Sequence, residues 1–224
     1  MSAYFVTATG TDIGKTFVTA GLVRNLRAQK RRVDAMKPIV SGFSETNMRD
    51  SDPGKLLEAL GLPINKQEIA KIAPWRFAAP LSPDMAAARE GKQIDFDALV
   101  KFCRDAIAAT PGTLFIEGVG GIMVPLDQRY TVFHWMAALG LPVILVTGTY
   151  LGTLSHTLTA LDALRGRRVK VQAIVVNESA GSDVPLADTV KSISNFSGET
   201  KVVPLARNAD AAAFTTLMAV LGLH

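Results

Sequence analysis

Ala8-Thr9-Gly10-Thr11-Asp12-Ile13-Gly14-Lys15-Thr16 decides how this 224-residue chain is read. The apolar run before it, Ala3-Tyr4-Phe5-Val6, predicts a strand. After it, residues 17–29 repeat apolar side chains at helical spacing. Strand, glycine-bearing loop, Gly-Lys-Thr and helix together make a phosphate-binding P-loop. The loop N–H groups converge on an anion, and the helix N-terminus adds a partial positive charge. Lys15 then reaches the outer phosphates and the Thr16 hydroxyl ligates Mg²⁺. The usual pattern has a glycine where Thr9 stands, and Gly10 is expected to supply the missing flexibility. The expectation is a nucleoside triphosphate site centred on residue 16.

Outward from the loop, strand-like runs cover residues 3–7, 33–39, 113–116, 142–147, 172–176 and 201–203. Helix-like runs cover residues 15–29, 55–60, 96–109, 132–139, 153–164, 186–193 and 209–221. Their alternation predicts an α/β fold of the P-loop NTPase type. A mostly parallel sheet is covered by helices on both faces, in a single nucleotide-binding domain over residues 1–224. Right-handed crossovers put the carboxyl ends of the strands on one edge, where ligands bind. Residues 41–53 and 62–94 show no clear period and are expected to be long, functional or mobile loops.

Composition narrows the function classes. A formal charge of +4 without a basic stripe interleaved with aromatics argues against nucleic-acid binding. Residues 131–161 carry no charged side chain, yet Gly140, Pro142, Gly148 and Gly152 punctuate them, so a buried helix–strand–helix is expected rather than a membrane span. Cys103 is the only cysteine and sits in an amphipathic helical pattern, which makes it a core thiol. With no secretory signal pattern, the expected location is the cytoplasm.

Candidate chemistry clusters at strand ends. Lys37, in Lys37-Pro38-Ile39-Val40-Ser41-Gly42, is costly to bury without an anion and is read as facing phosphate. Glu117, directly after residues 113–116 and before Gly118-Val119-Gly120-Gly121, has the Walker B placement of a carboxylate at an Mg²⁺ site. Arg49-Asp50-Ser51-Asp52 offers another hard oxygen, and spacing does not separate Asp50 from Asp52. The Gly148-to-Ser155 segment opens a helix whose N–H groups suit a carboxylate or phosphate. Asn177 and the Pro204-Leu205-Ala206 turn lie on the same rim, where an amide can read a base edge. His134 and His156 lack a metal-type partner spacing and are read as structural.

Taken together, these residues resemble the dethiobiotin synthetase family. The likeness spans most of the chain. It rests on Gly14-Lys15-Thr16, Lys37-Pro38 with Ser41-Gly42, Ser51-Asp52, Ser82-Pro83, Glu117-Gly118-Val119-Gly120-Gly121, Leu151-Gly152, Asn177 and Pro204. The resemblance implies carboxylation of 7,8-diaminononanoate by CO₂, with ATP as co-substrate, Mg²⁺ as cofactor and a homodimer as the working unit. One amine captures CO₂ as a carbamate, ATP phosphorylates it, and the second amine closes a cyclic urea. It further implies that Lys15 and Lys37 stabilise phosphate and carbamate charge, and that Thr11 and Ser41 meet the reacting end of the substrate. Asp12, Ile13, Gly14, Lys15, Thr16 and Phe17 would wrap ATP together with Asp52, Glu117, Gly118, Val119 and Gly120. Thr16, Asp52 and Glu117 would hold Mg²⁺. Asn177, Pro204, Leu205 and Ala206 would line the adenine pocket, and Leu151, Gly152 and Ser155 would take the tail carboxylate across the dimer interface. The family's usual first loop glycine and aspartate are replaced here by Ala8 and Gly10, Asp12 stands where a glutamate can occur, and Ser155 where an asparagine can.

Two alternatives share these motifs. A ParA- or MinD-like ATPase switch carries an extra lysine early in its P-loop, and residues 2–14 contain none. A cobyrinate-type amide synthase needs a cysteine nucleophile in a further domain, and Cys103 is poorly placed for that.

Overall fold

The computed structural model describes residues 2–223. Its strands are β1 (Ser2–Ala8), β2 (Val33–Met36), β3 (Ile39–Ser41), β4 (Trp75–Phe77), β5 (Thr113–Glu117), β6 (Val143–Gly148), β7 (Val171–Asn177) and β8 (Lys201–Leu205). Six of them form one sheet in the order β2-β5-β1-β6-β7-β8, and every pairing in it is parallel. From β1 the chain runs first to the β2 side and later to the β6 side. The P-loop therefore leaves the sheet where strand order reverses, which is where an open α/β sheet leaves a crevice. The continuous apolar runs are the strands buried along their whole length, β5 and β6.

The helices are α1 (Lys15–Ala28), α2 (Asp52–Leu60), α3 (Lys66–Ile72), α4 (Pro83–Arg89), α5 (Phe96–Ala109), α6 (Val132–Leu139), α7 (Thr153–Gly166), α8 (Leu186–Phe196) and α9 (Ala211–Val220). Buried apolar side chains from sheet and helices form one cluster. Near the P-loop strand, Phe5 meets Trp135 of α6 edge-on at 4.8 Å, both fully buried. Each such ring contributes roughly 1.5–3 kcal/mol by leaving water. Cys103 is buried in α5, and burial pushes its thiol up to about 12, as befits a core residue rather than a nucleophile. Among the described residues, no helix is long and apolar enough to cross a membrane.

Three expectations need correction. The strand expected over residues 33–39 breaks after Met36. Pro38 has no N–H to continue a ladder, and its carbonyl instead accepts from Trp75 N–H at 3.0 Å. Ile39–Ser41 then pairs with β4 in a separate two-stranded sheet. The supposedly aperiodic residues 62–94 hold α3, β4 and α4, of 7, 3 and 7 residues, each too short to display a period. Finally, the helix expected from residue 55 starts at Asp52, because the Ser51 side chain caps it by accepting from Gly54 N–H at 3.2 Å.

Candidate active site

The P-loop turns through two left-handed residues, Asp12 (φ 56°) and Gly14 (φ 101°). Gly10, expected to be the flexible position, is not one of the positive-φ glycines. Gly14 is held to glycine twice over, because a Cβ there would also lie 2.3 Å from Asn177 Nδ2. That amide donates to the Ile13 carbonyl at 2.9 Å, so β7 clamps the loop. No side chain caps α1 after Gly14, which leaves its first N–H groups for an anion. Lys15, 7% exposed, donates to the carbonyls of Gly10 (3.1 Å) and Gly120 (2.9 Å). Burial, with the Lys37 charge adding to it, lowers its ammonium to about 8, against the pull of Glu117, Asp52 and Asp12.

That depression has a measurable consequence. Near pH 8 roughly half of the free chains hold Lys15 neutral, and phosphate bound beside it restores the proton. Binding of Mg-ATP near pH 8 is expected to take up roughly half a proton, fading to none as pH falls below 7. Calorimetry in buffers of different ionisation enthalpy reads this directly. A buffer-independent enthalpy near pH 8 would mean that Lys15 is already charged in the free chain.

Beside the loop lies a buried cluster of opposite charges. Lys37 (2% exposed) donates to Glu117 Oε1 at 2.9 Å and to the Gly118 carbonyl at 2.8 Å, and stands 3.2 Å from Asp52 Oδ2. Burial works against the Lys37 charge, but Glu117 and Asp52 together outweigh it and raise the group above its ordinary value. Burial likewise opposes the Asp52 carboxylate, but the Lys37 ammonium and the Thr16 hydroxyl beside it hold that group low. Thr16 Oγ1 also donates to Glu117 Oε1 at 2.7 Å. Glu117 is fully buried, and its second oxygen, Oε2, has no hydrogen-bond partner.

The structure separates the two aspartates. Asp52 opens α2 and lines the cavity, whereas Asp50 is exposed. Asp52→Asn is therefore expected to lower turnover by about 10-fold or more, and Asp50→Asn to leave it within twofold. Steady-state rates at saturating Mg²⁺ compare the two, and the reverse pattern would overturn this assignment.

A cavity of about 790 Å³ joins these groups. Thr11, Asp12, Gly14, Lys15, Thr16, Phe17, Lys37, Ser41, Asp52, Val119 and Gly120 all line it. Sequence reasoning gave no role to a further stretch of the wall, Pro80 to Pro83 with Val124, although Ser82-Pro83 belongs to the resemblance. It also missed Lys55 and Glu58, which helical spacing from Asp52 brings to the mouth. Other expected residues lie on the same sheet edge but outside this wall. Leu151 is 95% exposed, Gly152 and Ser155 are exposed, and Gly152 (φ 96°) starts α7 without a side-chain cap. Pro204 and Ala206 are exposed, but the Leu205 side chain is fully buried, so it offers an adenine only its backbone. His134 Nδ1 accepts from Thr131 N–H at 3.1 Å at the start of α6, and His156 meets the Tyr150 hydroxyl at 3.0 Å.

Comparisons with known proteins give the family and the fold. A family model described as an AAA domain matches residues 2–212. The ATP-dependent dethiobiotin synthetase of Acidiphilium cryptum (strain JF-5) is 49% identical over 201 residues, covering 89% of this chain and 90% of that protein. The chain belongs to the dethiobiotin synthetase family. A second family member, from Methylobacterium nodulans, is 48% identical over 203 residues, covering 88% of this chain and 90% of its own. Among solved structures, the cell division ATPase MinD of Pyrococcus furiosus superposes with a TM-score of 0.58 over 99% of both chains. At 16% identity that likeness is one of fold alone, so the switch-ATPase alternative keeps only the shared architecture.

Proposed function

We propose that this chain makes dethiobiotin from 7,8-diaminononanoate, CO₂ and ATP, releasing ADP and phosphate. The observation that carries the reading is the meeting of Lys15, Lys37, Thr16 and Asp52 on one cavity wall, with Glu117 directly behind. Phosphoryl transfer asks mainly for positioning and charge stabilisation, and that wall offers both. Lys15 gives up its carbonyl partners to meet the outer phosphates of ATP. Lys37, held charged by Glu117 and Asp52, stabilises the carbamate oxygens and the developing phosphate charge. Thr11 and Ser41 orient the amine that carries CO₂.

The donor set fits Mg²⁺. Thr16 and Asp52 line the cavity and Glu117 stands behind them, three hard oxygen donors close together that would hold the ion. Glu117 Oε2, buried and without a hydrogen-bond partner, is a hard oxygen that would suit such an ion. Bound there, Mg²⁺ supplies charge neutralisation along the phosphates. Asn177 spends one of its two N–H groups on the P-loop, so its other N–H and its carbonyl oxygen are left to read the base, with Pro204 and Ala206 alongside. The open start of α7 receives the tail carboxylate from a second copy of the chain, with the exposed Leu151 and Leu154 in the contact, and this homodimer works in the cytoplasm as a single nucleotide-binding domain per chain.

The test is dependence on every reactant. ADP release is expected to require the diamine and bicarbonate, and one dethiobiotin to accumulate per ADP. ADP release at the same rate without diamine would favour a plain ATPase.

A further inference from the structure

The resemblance left Ser82 without a role, and its surroundings supply one. Two serines in this chain stand at the N-cap of helices with a proline in the first turn, and they behave differently. Ser51 turns its hydroxyl onto the backbone of α2, as an N-cap serine ordinarily does. Ser82, at the N-cap of α4, makes no such bond. Its Oγ is buried without any hydrogen-bond partner, and the residue lines the cavity. Ser41 Oγ is likewise buried, unpartnered and on the cavity wall. An unsatisfied buried hydroxyl is costly, and two on one wall point to a ligand with groups for both.

The backbone is built to hold these walls together. Ser41 ends β3 in register with Phe77 of β4. Gly42 N–H then donates to the Ala79 carbonyl at 3.1 Å. Gly42 has φ 71°, and a Cβ on it would sit 3.3 Å from Pro80 Cβ, so the chain from Ala79 to Ser82 lies close over the end of β3.

Building on the function proposed above, we infer that Ser82 is a substrate-binding residue that holds the ring-closing amine, while Ser41 holds the amine that bears the carbamate. Attack on the carbonyl carbon needs the nitrogen lone pair, so that amine must react in its neutral form. A hydroxyl suits it, accepting an N–H while leaving the nitrogen lone pair free; a carboxylate would favour the protonated form. In the ring-closing step the amine nitrogen forms a bond to the carbonyl carbon of the phosphorylated carbamate. The bond from that carbon to the phosphate oxygen breaks with its electron pair on phosphate, which also takes the amine proton. If the amine is poorly held, water attacks instead and yields phosphate, CO₂ and the starting diamine.

The test is coupling. Ser82→Ala is expected to lower kcat/KM for the diamine roughly fivefold to tenfold and to raise ADP per dethiobiotin above one, with KM for ATP unchanged. Ser82→Thr keeps the hydroxyl and should keep the ratio near one. An analogue with hydrogen in place of the ring-closing amine should bind wild type and Ser82→Ala equally, a readout that a merely structural serine would not give. Coupled turnover in Ser82→Ala with kcat/KM within twofold of wild type would overturn this inference alone, as would an analogue that loses as much affinity as the diamine. A wild-type chain that makes no dethiobiotin would overturn the functional reading as well.

Discussion

Lys37→Met is expected to damage the protein twice. The substitution strands Glu117, a fully buried carboxylate whose charged partner at 2.9 Å is Lys37. Removing one member of a buried pair costs about 3–5 kcal/mol, because the remaining charge is left uncompensated. In a chain of this size that lowers Tm by roughly 10 °C, read by calorimetry or circular dichroism in the absence of nucleotide. Turnover falls about 10²–10³-fold as well, since the same ammonium stabilises charge in the reaction. Mg²⁺ alone should recover more stability in the variant than in wild type, because the freed carboxylate oxygens take the cation. A Tm within a degree or two of wild type would show that the pair contributes nothing, and with it the placement of Lys37 as a held cation would fall.

Lys15→Ala separates the two lysines. Its ammonium is disfavoured in the free chain, by burial first and by Lys37 second, so losing it removes a charge that the fold holds at a cost. The sign follows from proton binding. Between about pH 8 and the ordinary lysine range the unfolded chain binds the proton and the folded chain does not, so stability rises with pH there, and the penalty is fully present below pH 8. At neutral pH the variant is therefore expected to be at least as stable as wild type. Turnover should nevertheless fall about 10²–10³-fold, the cost of removing one preorganised donor to a developing anion. A variant that unfolds readily, or that keeps a third of the wild-type rate, would contradict the division of labour between Lys15 and Lys37.

How far the sequence was legible depended on length and periodicity. The P-loop, the buried runs of β5 and β6, and helices α5 and α6 were readable because each is long enough for its pattern to show. The break at Lys37-Pro38 was hidden because Ile39-Val40 keep the run apolar. Only the missing Pro38 N–H betrays it, and that break is what leaves Lys37 between the two sheets. Asp52 could have been told from Asp50 by Ser51 three residues before Gly54 with Pro53 between, a helix-start signal. Ser82 could not be interpreted without coordinates, since only the absence of its capping bond sets it apart from Ser51. The inward turn of the Leu205 side chain was not legible in the sequence, because a strand end at the rim still alternates its side chains.

The central claim is that one cavity passes the γ-phosphate of ATP to a carbamate formed from CO₂ on the substrate. A short incubation with ATP, Mg²⁺, 7,8-diaminononanoate and CO₂ doubly labelled with ¹³C and ¹⁸O, followed by mass spectrometry, follows both atoms. Dethiobiotin should carry one ¹³C, and the released phosphate one ¹⁸O, because the carbamate oxygen that attacks phosphorus departs with it. Phosphate free of ¹⁸O, in the presence of ¹³C-labelled dethiobiotin, would contradict a phosphorylated carbamate, and the absence of labelled dethiobiotin would contradict the assigned reaction altogether.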